Sequence, residues 1–303
     1  MASGRLGDYN QIIRERPEVK ILVYFALLLL MVTIPFVYVG SRSMSTSAHD
    51  IAVEGIFATA AVIAVLVMQH LPNALPLSSH GFTFRGIVIQ TAIGAAIGLA
   101  LMSAIVNTLQ LSGHYVADRE NIAFAPIPGL ALFFLVAVFE ETVFRGFIFA
   151  TLEHKWGSFV ALTTTCLLFG LAHLVDAVPG ISFAQHLRAS LFIGLEAGLL
   201  LNASFMLTRS LWLGIGIHWA WNFFEGPFYG TNVSGLVEPA PLYQSHTIGP
   251  AFITGGAFGP ENGIVCLIIA TIAGLVMLRL AVKSGQWRPN PQLNPAVLQE
   301  SVT

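Results

Sequence analysis

Two adjacent carboxylates sit inside an otherwise apolar run, Phe139-Glu140-Glu141-Thr142-Val143-Phe144-Arg145-Gly146. Ionisable side chains in a membrane-length run are costly and mark function. Glu141 and Arg145 stand four residues apart and share a helix face. An ion pair between them lowers the cost of both. Glu140 points ~100° round the helix and is left without that partner. A carboxylate unpaired in a low-dielectric setting is suited to general acid/base work. A polar network that only fixes helix packing would also account for Glu140, Glu141 and Arg145.

Two further groupings follow in the chain. Phe169-Gly170-Leu171-Ala172-His173 places a histidine near the end of an apolar run, with Phe169 one turn earlier as a pocket wall. A lone histidine there also fits a helix–helix hydrogen bond, and Phe169 alone fits an ordinary core position. In His218-Trp219-Ala220-Trp221-Asn222 the histidine and the amide are four apart and project from one face. The two tryptophans fit the interfacial belt. Glu140, His173, His218 and Asn222 thus come from three helices. A carboxylate with a histidine can deprotonate a trapped water. A second histidine with an amide can donate hydrogen bonds to the oxyanion formed when water attacks a carbonyl. This suits amide hydrolysis in a membrane-embedded cavity. There is no GxSxG serine and no placed cysteine to offer a covalent route. Glu54 and Glu196 lie in apolar runs without a basic neighbour in sequence and read as lining or boundary residues. His49, His70, His80, His114, His154, His186 and His246 read as solvated loop groups.

The elements that must position these groups are membrane helices. The chain has 303 residues, 55% hydrophobic and 10% charged, with mean hydropathy +0.75. A soluble domain is nearer ~25% charged, so the composition predicts an all-α polytopic bundle. It disfavours disorder, a disulfide scaffold and nucleic-acid binding, since 14 Lys+Arg face 16 Asp+Glu. Cys166 and Cys266 read as small core residues.

About eight spans are expected: 21–40, 51–68, 86–107, 128–150, 159–174, 190–207, 211–224 and 263–282. The sixth and seventh are separated only by Thr208–Ser210. The first run follows a polar, basic start without a cleavage site, so it reads as a retained helix. Placing the N-terminus inside puts Arg5, Arg14, Arg16, Lys20, Arg85, Lys155, Arg209, Arg279, Lys283 and Arg288 on one side. Only Arg42, Arg119 and Arg188 fall on the other. Both termini are therefore expected in the cytoplasm of a bacterial inner or plasma membrane. The expected organisation is a cytoplasmic segment 1–20, N-terminal helices 21–127, a core 128–282 and a disordered tail 283–303. The Gly- and Pro-rich stretch Glu225–Asn262 either dips toward the membrane or caps a cavity.

Glu140-Glu141-x-x-Phe144-Arg145, then Phe169-x-x-x-His173, then His218-x-x-x-Asn222 resembles the CPBP family of intramembrane proteases, which includes type II CAAX prenyl endopeptidases and abortive-infection-like proteins. The motifs span about a third of the chain, 128–224. The resemblance implies that Glu140 and His173 activate water and that His218 and Asn222 stabilise the oxyanion. Glu141, Arg145 and Phe169 would support the site. The family is commonly labelled as metalloproteases, and a metal-free glutamate mechanism has also been argued for it. A zinc site would need Glu140, His173 and His218 as ligands with water. No cofactor is assigned, and the balance leans metal-free because Asn222 is a poor zinc ligand and a good oxyanion donor. The implied partners are a membrane-associated peptide or protein substrate, prenylated or not, and the lipid bilayer. Two other classes compete: a non-enzymatic binding or immunity protein, and a proton-coupled transporter with Glu140 and His173 as a relay.

Overall fold

In the computed structural model, residues 16–71, 74–175, 178 and 180–293 are described. Arg5 and Arg14 of the charge count, and residues 294–303 of the tail, lie outside them. Eight helices carry the architecture: α1 Pro17–Gly40, α2 Thr46–Met68, α3 Ile87–Leu111, α4 Pro126–Glu141, α5 Ala150–Ala172, α6 Phe183–Thr208, α7 Leu211–Phe223 and α8 Ile264–Lys283. Between α4 and α5 the chain winds as a π-helix over Thr142–Phe149.

Among the described residues six helical stretches are long and apolar enough to cross a membrane. One of them, Pro126–Ala172, runs for 47 residues through α4, the π-helix and α5. The expected fourth and fifth spans are thus one merged helix, interrupted at Gly157 (φ 79, ψ 173). Only glycine adopts that backbone readily, and a Cβ there would lie 2.7 Å from the Asn290 nitrogen. The expected seventh span is the 13-residue α7, short for a crossing and almost wholly buried. The count of eight thus differs from the count of long apolar helices because one span is merged and one is short.

Local signals explain the helix starts. Pro126 opens α4, where its missing N–H costs nothing. Ser182 and Gln185 form a reciprocal capping box at the start of α6. Lipid gives helices little apolar reason to associate, so small residues let backbones close up. A Cβ on Gly94 or Gly98 of α3 would fall 2.3 Å or 2.4 Å from the Leu213 or Ile217 carbonyl of α7. Gly170 of α5 meets the Ser190 carbonyl of α6 in the same way, at 2.2 Å. These contacts press α7 and α5, which carry His218, Asn222 and His173, into the bundle. Leu22, Leu29 and Ile34 of α1 are exposed, as a lipid-facing stripe requires.

One end of the bundle gathers the segments expected to be cytoplasmic. Glu153 of α5, 2% exposed, pairs with Arg209 and Arg288. The backbone N–H of Arg288 donates to Ser158 Oγ at 2.9 Å. The tail, expected to lack structure from Lys283 onward, packs here as far as Asn290. His80, expected to be a solvated loop group, is 3% exposed and bonds the Gly146 carbonyl at 2.6 Å through Nδ1. At the other end, β1 (Tyr115–Glu120) pairs antiparallel with β2 (Tyr243–Thr247), Tyr115 opposite Thr247. This ribbon ties the stretch Glu225–Asn262 to the α3–α4 connection.

Candidate active site

The three groupings meet in one cavity of about 710 Å³. Glu140, Phe169, His173, His218 and Asn222 all line it. Glu140 is brought in by the last turn of α4, His173 by the C-terminal end of α5, and His218 with Asn222 by α7. Val233, Ser234, Gly235, Leu236 and Glu261 line the same space, so the stretch between α7 and α8 contributes a cap. Glu261 accepts from the Ser234 N–H at 3.1 Å and from its hydroxyl at 2.8 Å.

Glu141 is the centre of a buried network. It is 1% exposed and Arg145 is 0% exposed. The Arg145 Nη1 donates to Glu141 Oε1 at 2.9 Å. Its Nε donates to Asn202 Oδ1 at 3.1 Å and its Nη2 to the Ala197 carbonyl at 3.4 Å. The guanidinium carbon also lies 4.3 Å from the centre of the Phe169 ring. Glu141 Oε1 accepts a second bond, from Nδ1 of His218, at 3.2 Å. The carboxylate therefore joins the first and third groupings, across 77 residues of chain. Phe169 fixes the others: its ring centre is 5.1 Å from that of His173, 6.3 Å from that of His218 and 5.0 Å from that of Phe144.

The hydrogen bonds set the tautomers. A carbonyl can only accept, so the 2.9 Å contact between His173 Nδ1 and the Phe169 carbonyl puts the proton on Nδ1. The Nε2 lone pair of neutral His173 is then available as a base. His218 also spends its Nδ1 proton, on Glu141. Its Nε2 lies 3.8 Å from Glu140 Oε2, too far for a direct bond. Donation from Nε2 requires the imidazolium form. An imidazolium beside two carboxylates and one guanidinium makes this buried set neutral overall. Among the described residues Glu140 Oε2 is buried without a hydrogen-bond partner. The Asn222 side chain, 5% exposed, takes no protein partner among the described residues. The site thus keeps an acceptor and a donor free toward the cavity.

Zinc fits these residues poorly. Among the described residues no three His, Cys, Asp or Glu side chains come together as a metal-holding group. Glu140, His173 and His218 share a cavity without converging on one point. Cys266, read as a core residue, is buried and donates to Glu196 Oε1 at 3.3 Å. Glu54, read from the sequence as a lining or boundary residue, lines the cavity. The absence of a basic neighbour inside an apolar run was the available signal.

Residues 122–224 match the family model described as Rce1-like, type II CAAX prenyl endopeptidase Rce1-like. The matched segment contains all three motif groupings and supports membership of the CPBP family. A comparison with curated proteins finds no match.

Proposed function

We propose, on the premise that this chain belongs to the CPBP family through residues 122–224, that it is an intramembrane endopeptidase that hydrolyses a peptide bond of a membrane-associated substrate. The observation that supports this best is the shared cavity in which Glu140 and Asn222 face one another's space with unspent hydrogen-bonding capacity.

In this reading water enters between Glu140 and His173. Glu140 takes the proton as the oxygen attacks the substrate carbonyl, and Nε2 of His173 accepts the water's second hydrogen bond. The oxyanion that forms receives bonds from the Asn222 amide and from Nε2 of the His218 imidazolium. Each such donor is worth ~3–4 kcal/mol in the transition state. Glu140 then returns the proton to the leaving amine. Glu141 holds His218 in its ring orientation, and Arg145 holds Glu141. No step needs a metal. Both termini face the cytoplasm in this scheme.

The test is cleavage of membrane-anchored reporter peptides by the purified protein in proteoliposomes. Glu140→Gln and His173→Ala are expected to lose at least about a thousandfold in kcat/KM, the scale of losing the acid/base group. Both should keep the wild-type helical spectrum. Turnover retained in both variants would refute the hydrolytic reading.

A further inference from the structure

The cavity is lined by more carboxylates than the reaction uses. Glu54, Glu140 and Glu261 all border it. Glu261 is held by Ser234 and Glu140 has a role in the proposed chemistry. Glu54 has neither. It stands in α2, outside the segment matched to the protease family.

Its placement follows from the helix packing. Phe57, three residues on, packs on Phe139 with ring centres 5.3 Å apart. Gly55 faces Leu135, with a Cβ contact at 3.8 Å. This face of α2 therefore lies on the face of α4 that ends in Glu140. The charged groups acting on Glu54 are Glu140 and Asp50, both acidic. Among the described residues it forms no ion pair, and no Lys or Arg lines the cavity. Arg145, the guanidinium beside it, is fully buried and directed at Glu141, Asn202 and Ala197. The cavity also holds the unspent Asn222 amide, which is 5% exposed. The space is therefore shaped and polarised for a ligand, and among the described residues His173 and His218 are the lining groups able to carry positive charge.

We propose that this cavity selects a peptide segment carrying a Lys or Arg side chain near the scissile bond, with Glu54 as a specificity-determining carboxylate. The inference rests on the hydrolase reading and names its substrate class. A cationic side chain entering here favours the ionised form of these carboxylates, and in a low-dielectric wall the resulting attraction is stronger than in water. A free C-terminal carboxylate entering the same space meets three acidic groups and no lysine or arginine. Charge complementarity of this kind sets selectivity more than raw affinity.

The experiment uses the full-length protein in detergent micelles and three fluorescent membrane-anchored peptides, identical except for Lys, norleucine or Glu at one scanned position beside the cut. Binding is read by anisotropy and hydrolysis by product formation. Wild type is expected to bind the Lys peptide about tenfold more tightly than the norleucine peptide, with the Glu peptide weakest. Glu54→Gln, which keeps shape and removes charge, should bring the Lys-to-norleucine ratio to within about twofold of one. Glu54→Asp should restore part of it. A charge preference in binding without any hydrolysis would uphold this selectivity and overturn the protease reading. Hydrolysis with equal handling of Lys and norleucine at every scanned position, or a preference unaltered by Glu54→Gln, would overturn the selectivity and leave the protease reading standing.

Discussion

Replacing Arg145 by Met removes a guanidinium that is 0% exposed and satisfies three acceptors at once. Glu141, itself 1% exposed, keeps only the His218 ring as a donor. Removing one partner of a buried ion pair costs ~3–5 kcal/mol, because the other charge stays buried and uncompensated. Asn202 Oδ1 and the Ala197 carbonyl also lose donors, at ~1–3 kcal/mol for each one left unsatisfied. The Met side chain recovers some packing, so a net loss of ~4 kcal/mol is expected for Arg145→Met. The double variant Glu141→Gln/Arg145→Met removes both charges and is expected to regain most of that loss, since an apolar or neutral replacement of a whole buried pair is often near neutral. Peptide cleavage should stay lost in the double variant, because His218 then rests on a neutral amide and its imidazolium loses a flanking charge. Denaturant unfolding in mixed micelles, followed by the fluorescence of Trp219 and Trp221 on α7, measures the stability arm. A cost below about 1 kcal/mol for Arg145→Met, or full activity in the double variant, would refute the account of the network.

Two further outcomes are expected. Asn222→Ala should lower kcat by about 10²–10³-fold with little change in KM, the mark of a donor used only in the transition state; a pure KM effect would move Asn222 to substrate binding. His80 gives a pH dependence: burial, the largest cause, and the Lys20 charge hold its imidazole below the ordinary 6.5, against the opposing pull of the Gly146 and Leu75 carbonyls. The unfolded chain then binds the proton more readily than the folded one. The His80 contribution is present above pH 6.5 and is lost as pH falls below it. Wild type should therefore lose more unfolding free energy than His80→Gln between about pH 7.5 and about pH 5.5; equal losses in the two proteins would exclude His80 as the cause.

Much of this arrangement is legible in one dimension. The Glu141–Arg145 pair follows from helical spacing alone, and so does the common face of His218 and Asn222. The long apolar runs announce membrane helices. What is not legible is anything set by contacts far apart in the chain. The bond between Glu141 and His218 spans 77 residues and has no local signature. The β-ribbon is built from Tyr115–Glu120 and Tyr243–Thr247, two short polar stretches that carry no apolar alternation to betray them. His80 looks like a loop histidine because its neighbours are polar, and only the approach of Gly146 buries it. Gly157 has ordinary helical neighbours, and its role as a break appears once residues 288–290 are seen against it.

The π-helical winding over Thr142–Phe149 carries a last implication. A π turn spends one residue more than an α turn, so the two flanks of this stretch are out of step with each other. Upstream, Glu140 and Glu141 serve the cavity; toward the far end of the stretch, Phe147 stacks on Tyr24 at 4.0 Å and anchors the first helix. Deleting a single residue here would barely alter the hydropathy of the segment. It would nonetheless swing either the acidic pair or the aromatic anchor by about a quarter turn. For this chain, length between those two points is as much a coding property as residue type, and a variant that preserves every functional side chain can still be silenced by the loss of one bystander.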